Sequence, residues 1–267
     1  MANYLTGVFS RALNQLLLLF GGIFLLAFLL CHVAGEIRGA GESLLGRGYY
    51  YLVAPGVVCH ETGHALGCLM TGTEIVRFEP FRPRGNTLGY VYYRYSRKAG
   101  LISSLRHLVI GTGPVWFGCR MIWLCAKLFA RTVFLPKFSD AFPLDPYPES
   151  KRYWCAVLKT SGRMVWNTIR VWRWKSTLNV VYLYLVFCIA SEMTLSWEDI
   201  EGAWKGFVAL VALLVVLNVV PWLGRRVGLL TWNAAPFLFK IHVMMAFVLL
   251  GDLVFVVLFV LPLRLLL

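Results

Sequence analysis

The chain has 267 residues, 59% of them hydrophobic and only 15% charged, with a formal net charge of +13. Soluble domains carry about a quarter of their residues as charges, so a water-soluble enzyme or scaffold is excluded. The cations lie in the connections and form no groove-reading motif, which also excludes a nucleic-acid partner and fits residues that meet lipid headgroups.

Apolar runs approach the roughly 20 residues that cross a bilayer as a helix. They predict an all-α polytopic membrane protein, with about six transmembrane helices at 13–34, 50–70, 108–130, 177–195, 205–223 and 240–262. No repeat or long linker divides the chain, so residues 1–267 read as one domain. Arg11 followed by LLLLF (16–20) and VAG (33–35) has the outline of a signal peptide. Its apolar stretch exceeds the roughly 7–15 residues of such a segment, and a retained first span is expected.

The second span contains VVCHETGHALGCL at 57–69. His60 and His64 are one helical turn apart and so share a face. Two imidazoles so placed can grip one Zn²⁺, with Glu61 beside the open position as general base. Three ionisable groups within a turn are costly in lipid, and by default they mark a function. Next come TGTEIVRF (71–78) and LGYVYYRY (88–95), two β-prone runs around Arg84-Gly85-Asn86, which predict a hairpin at about 73–95. GTGPV (111–115) opens the third span with small residues and a proline suited to helix initiation and close packing.

Between the third and fourth spans, 151–175 interleaves Lys151, Arg152, Lys159, Arg163, Arg170, Arg173 and Lys175 with Trp154, Trp166, Trp172 and Trp174. That pattern predicts an amphipathic helix lying at the lipid interface. The run ASEMTLSWEDIEGAW (190–204) concentrates acidic residues between the fourth and fifth spans. Ser196 with Asp199 three residues on approximates a capping box. Asn218-Val219-Val220-Pro221 ends the fifth span, and Asp252 stands alone in the sixth, where it needs a partner such as Lys240 or a metal. His32, His107 and His242 fall near span ends and read as interfacial. The seven cysteines, six of them within spans, read as reduced packing residues without a paired framework.

The run PGVVCHETGHALG (55–67) resembles the metal-binding helix of the site-2-protease family of intramembrane metalloproteases, and the hairpin and GTGPV follow in that family's order. The resemblance implies a membrane-associated hairpin whose edge holds an extended substrate through a G-Y-V-like strand, here Gly89, Tyr90 and Val91. It implies a third zinc ligand from a distant aspartate. The family's N-x-x-P is matched by Asn218 to Pro221, which adds Asn218 as a substrate-binding candidate. The L-D-G element that should follow is replaced by Trp222-Leu223-Gly224-Arg225-Arg226. Ser196 to Asp199 resembles instead a serine-x-x-aspartate element of compact relatives, so Asp199 is the first choice of ligand, ahead of Asp252 and Glu192.

The function this implies is a zinc-dependent intramembrane endopeptidase, with one Zn²⁺ per chain on His60, His64 and Asp199. Its partners would be the lipid bilayer and a membrane protein or peptide substrate, in a multi-pass protein of a prokaryotic-type cell membrane. The likeness places the N-terminus, hairpin, acidic connection and C-terminus in the cytosol, whereas the nine cations of 131–176 lean the other way. Two alternatives stay open: a non-catalytic protein that keeps the cluster for structure or partner binding, and a membrane zinc hydrolase acting on a non-peptide bond.

Overall fold

The computed structural model describes residues 2–16, 22–83, 87–94, 100–129, 150–170 and 176–266. The described chain is mostly helical: α1 (Ala2–Leu16), α2 (Gly22–Leu45), α3 (Gly48–Leu52), α4 (Ala54–Thr71), β1 (Ile75–Glu79), β2 (Tyr90–Tyr93), α5 (Leu101–Gly111), α6 (Gly113–Phe129), α7 (Ser150–Arg170), α8 (Thr177–Glu192), α9 (Trp197–Val219) and α10 (Pro221–Phe255). A π-helical turn, Val256–Val260, then leads into α11 (Leu261–Leu266).

Four helices are long and apolar enough to cross a membrane: Gly22–Leu45, Leu101–Leu128, Asp199–Val219 and Ala235–Leu265. The second of these joins α5 and α6 through the bend at Thr112. The expected fourth span is present as a shorter apolar helix, Thr177–Glu192. The expected second span, 50–70, falls mainly on α4, which is not among these four; it has 18 residues, with a proline in its first turn and Gly72 in the left-handed conformation at its end. That geometry lets the Thr73 N–H reach the Cys68 carbonyl at 2.8 Å and closes the last turn.

Helix directions depart from simple alternation. Gly56 lies against the Cys188 carbonyl and His60 against that of Glu192, so α4 and α8 run parallel. Gly63 meets Gly113 and Pro114 while Gly67 meets Ile110, so α5 and α6 run antiparallel to α4. Gly111 meets the Asp199 carbonyl and Gly206 that of Ser104, which makes α9 antiparallel to α5 and parallel to α4. Thus α8 and α9 advance in the same direction, broken at 193–196, whereas six alternating spans would need them opposed. Hydropathy records that each run tolerates lipid; packing decides which way it points.

The hairpin is a two-stranded antiparallel sheet with Phe78 opposite Val91 and Glu79 opposite Tyr90, and an irregularity between Ile75 and Arg77. It follows α4 directly and packs back on it. The basic segment forms the helix α7, but its apolar face is covered by α10. Tyr153, Val157 and Met164 are buried, and the Ser161 hydroxyl donates to the Val243 carbonyl at 3.0 Å. Trp154 packs on His242 while Trp166 stays exposed. Residues 171–175, with two more of the expected interfacial tryptophans, lie outside the described residues, as do Arg84, Gly85 and Asn86 of the turn.

His242 corrects the interfacial reading. It is fully buried, with Nδ1 2.6 Å from the Tyr153 hydroxyl. All seven cysteines are unpaired, and only Cys31 and Cys155 are exposed.

Candidate metal centre

The site begins with helical spacing. One turn of α4 separates His60 and His64 and stacks their rings with centroids 4.8 Å apart. His60 Nδ1 is 2.7 Å from the Glu192 carbonyl at the end of α8, and His64 Nδ1 is 2.9 Å from the Ile110 carbonyl near the end of α5. A carbonyl only accepts, so each Nδ1 carries a hydrogen, and in the neutral imidazoles each Nε2 is left with a lone pair. Those two Nε2 atoms face each other at 3.1 Å.

Asp199 closes the cluster from the first turn of α9. Its Oδ1 lies 3.2 Å from His64 Nε2 and its Oδ2 3.8 Å from His60 Nε2. A local device aims it: Ser196 caps α9 by accepting from the Asp199 N–H at 3.1 Å, and the Ser196 N–H donates to Asp199 Oδ2 at 2.9 Å. The capping box read in the sequence and a place in the cluster thus belong to the same carboxylate. One ligand atom from each of the three residues falls within 4.8 Å of the others. Three acceptors converge with no proton required between them, an arrangement that a cation satisfies. Two imidazoles and a carboxylate are a donor set suited to zinc. The second partners on both Nδ1 atoms are those that metal-ligating histidines use to fix tautomer and orientation.

Glu61 stands next to this group, under the hairpin. A methyl group built on Gly89 would come within 2.8 Å of Glu61 Cγ and 2.7 Å of the Pro80 carbonyl. Only glycine lets the hairpin backbone approach the glutamate so closely. From Gly89 the chain continues as Tyr90 and Val91 in β2. Arg82 braces the turn, donating to Glu79 at 2.9 and 2.7 Å and to the Tyr90 hydroxyl at 3.3 Å; Arg77 pairs with Glu79 as well.

The remaining candidates lie elsewhere. The Glu192 carboxylate is held by Arg38 of α2 at 3.0 and 2.8 Å, so this residue serves the cluster through its carbonyl and not its side chain. Asp252 is buried in α10 with Oδ2 lacking a hydrogen-bond partner, and it is no member of the cluster. Asn218 ends the helix that Asp199 begins, roughly 28 Å away at 1.5 Å per residue. It is fully buried, donating to Gln15 and to the Leu214 carbonyl, both at 2.8 Å. These bonds tie it to α1 and to its own helix, far from the cluster.

Sequence reasoning passed over Arg38. The signal was present: an arginine within the apolar α2 must find a partner, and Glu192 is one of the chain's few acidic residues.

The described chain is therefore a helical protein of membrane type, with a His–His–Asp group able to hold a metal ion. Comparisons with family models, curated proteins and solved structures found no match to it.

Proposed function

We propose that the protein is a zinc-dependent intramembrane endopeptidase of the site-2-protease kind. The observation that carries this reading is the convergence of His60 Nε2, His64 Nε2 and the Asp199 carboxylate beside Glu61, under a strand able to hold a peptide. Ile110, which orients His64, is nine residues into the candidate span that starts at Leu101, so the cluster lies roughly 14 Å below that end. By that helix the cluster would lie within a hydrocarbon core about 30 Å thick, while Asp199 stands at the start of the candidate span Asp199–Val219. The side chains of His60, His64 and Asp199 remain 15%, 11% and 14% exposed, so the cluster is not sealed off by its own helices.

His60, His64 and Asp199 hold the ion. A bound zinc ion supplies a Lewis acid that polarises a carbonyl and acidifies water. Glu61 takes the proton from the attacking water and returns it to the leaving amide nitrogen. Gly89, Tyr90 and Val91 offer main-chain groups to a substrate segment in extended form, which brings its scissile bond over Glu61. The substrate is a membrane-spanning or membrane-proximal peptide, unwound locally before cleavage.

One observation favours a second reading. The 3.2 Å from His64 Nε2 to Asp199 Oδ1 is also the length of a hydrogen bond from a protonated His64. The cluster would then be a polar lock in a non-catalytic protein.

Elemental analysis of the detergent-purified chain, together with cleavage of reconstituted transmembrane peptides, decides between them. About one zinc per chain is expected on the two-histidine, one-carboxylate site, lost in His64→Ala and in Asp199→Ala. Glu61→Gln should keep the zinc and lose cleavage. Continued cleavage by Glu61→Gln sinks the mechanism, and a folded wild type without zinc sinks the metal.

A further inference from the structure

The proposed chemistry makes no use of a cleft of about 190 Å³ at the root of the hairpin. Its walls include Thr73 and Glu74 after α4, Arg94 after β2, and Ser103, Arg106 and His107 on the first turns of α5. We propose that this cleft binds the phosphate of an anionic phospholipid headgroup.

Charge favours an anion. Arg94 gives one donor to Glu74 at 2.8 Å, and its guanidinium has others to spare. Arg106 is exposed and has no carboxylate partner among the described residues. Lys205 lies on α9 beside Gly206, which packs against the Ser104 carbonyl of α5. Two arginines against one carboxylate leave the cleft cationic, and guanidinium groups match phosphate oxygens in shape and donor geometry. The Ser103 hydroxyl supplies a neutral donor beside them.

Position favours a lipid over free phosphate. The cleft sits where α4 ends and the candidate span Leu101–Leu128 begins, which is where headgroups lie. The residues next to its walls are apolar and open. Leu69 is 68% exposed, Met70 71% and Ile102 70%. A phosphate in the cleft would leave its acyl chains running along this surface.

The test uses the full chain in mild detergent, with retained lipid counted by native mass spectrometry after titration with phosphatidylglycerol or phosphatidylcholine. Wild type should retain phosphatidylglycerol in preference. Arg106→Gln should weaken that retention roughly tenfold, as expected for losing a charged donor pair, and Arg106→Lys should restore part of it. Arg225→Gln, which removes an exposed cation of α10, should change nothing. Equal retention of the two lipids overturns the proposal, as does Arg106→Gln behaving like Arg225→Gln. A second arm gives lipid-stripped protein inorganic phosphate; Arg106-dependent phosphate binding without phosphatidylglycerol retention overturns the assignment to lipid. Zinc content is read on every variant and should not change, so this outcome is independent of the metal reading.

Discussion

Arg38 shows how one side chain in an apolar helix acts on a site it does not touch. Its guanidinium grips both oxygens of Glu192, whose carbonyl in turn orients His60. Removing it leaves a carboxylate that is 9% exposed without a counter-charge. A fully buried pair broken this way costs about 3–5 kcal/mol. Arg38 is itself 43% exposed, and water screens part of that, so Arg38→Met should cost about 2 kcal/mol. Thermal unfolding in detergent checks this, and the double variant Arg38→Met/Glu192→Gln should recover most of the loss. Zinc affinity of Arg38→Met should also fall, by roughly tenfold, as when an outer partner of a ligating histidine is lost. An unchanged melting temperature would show that the pair anchors nothing.

The elements meet through small residues. Gly56, Gly63 and Gly67 line the faces of α4 that touch α8, α6 and α5. Such contacts drive helix association in membranes, where lipid offers no hydrophobic gain. A Cβ on Gly63 would sit 2.7 Å from the Pro114 backbone, which cannot turn aside as a side chain would. Gly63→Ala should therefore destabilise by about 1–3 kcal/mol and lower zinc occupancy, because α4 must move off the Ile110 carbonyl. Gly162, in α7, has nothing within 4 Å of its Cβ direction. Gly162→Ala should leave stability unchanged or raise it by up to about 1 kcal/mol through helix propensity. Comparing their melting temperatures isolates contact from propensity; equal values for the two variants would refute close packing at Gly63.

At the scale of the molecule, the cluster draws on four helices. Its histidines come from α4 and its carboxylate from α9, while α8 and α5 supply the orienting carbonyls. An ion held there would tie together segments far apart in the chain. Binding only to the folded state stabilises it, by about 2.7 kcal/mol at a hundredfold excess over Kd. A chelator should lower the melting temperature of wild type, zinc should restore it, and His64→Ala should respond to neither. No shift in wild type would mean that the four helices hold together without an ion.

What the residues determined alone was local. The spacing of His60, Glu61 and His64 places them on one turn whatever surrounds it, and Ser196 with Asp199 builds its cap within four residues. The apolar runs were legible in part, four of them as helices long and apolar enough to cross a membrane, since each is defined by its own composition. Tertiary packing decided everything that joins distant segments. Asp199 comes from 135 positions beyond His64 in the chain, Arg38 finds Glu192, and Asn218 is drawn to Gln15 at the far end of α9. The same holds for α8 and α9 running in one direction. Hydropathy is blind to the sense of a helix, which is set by the glycine faces and side-chain pairs that meet only when the bundle closes.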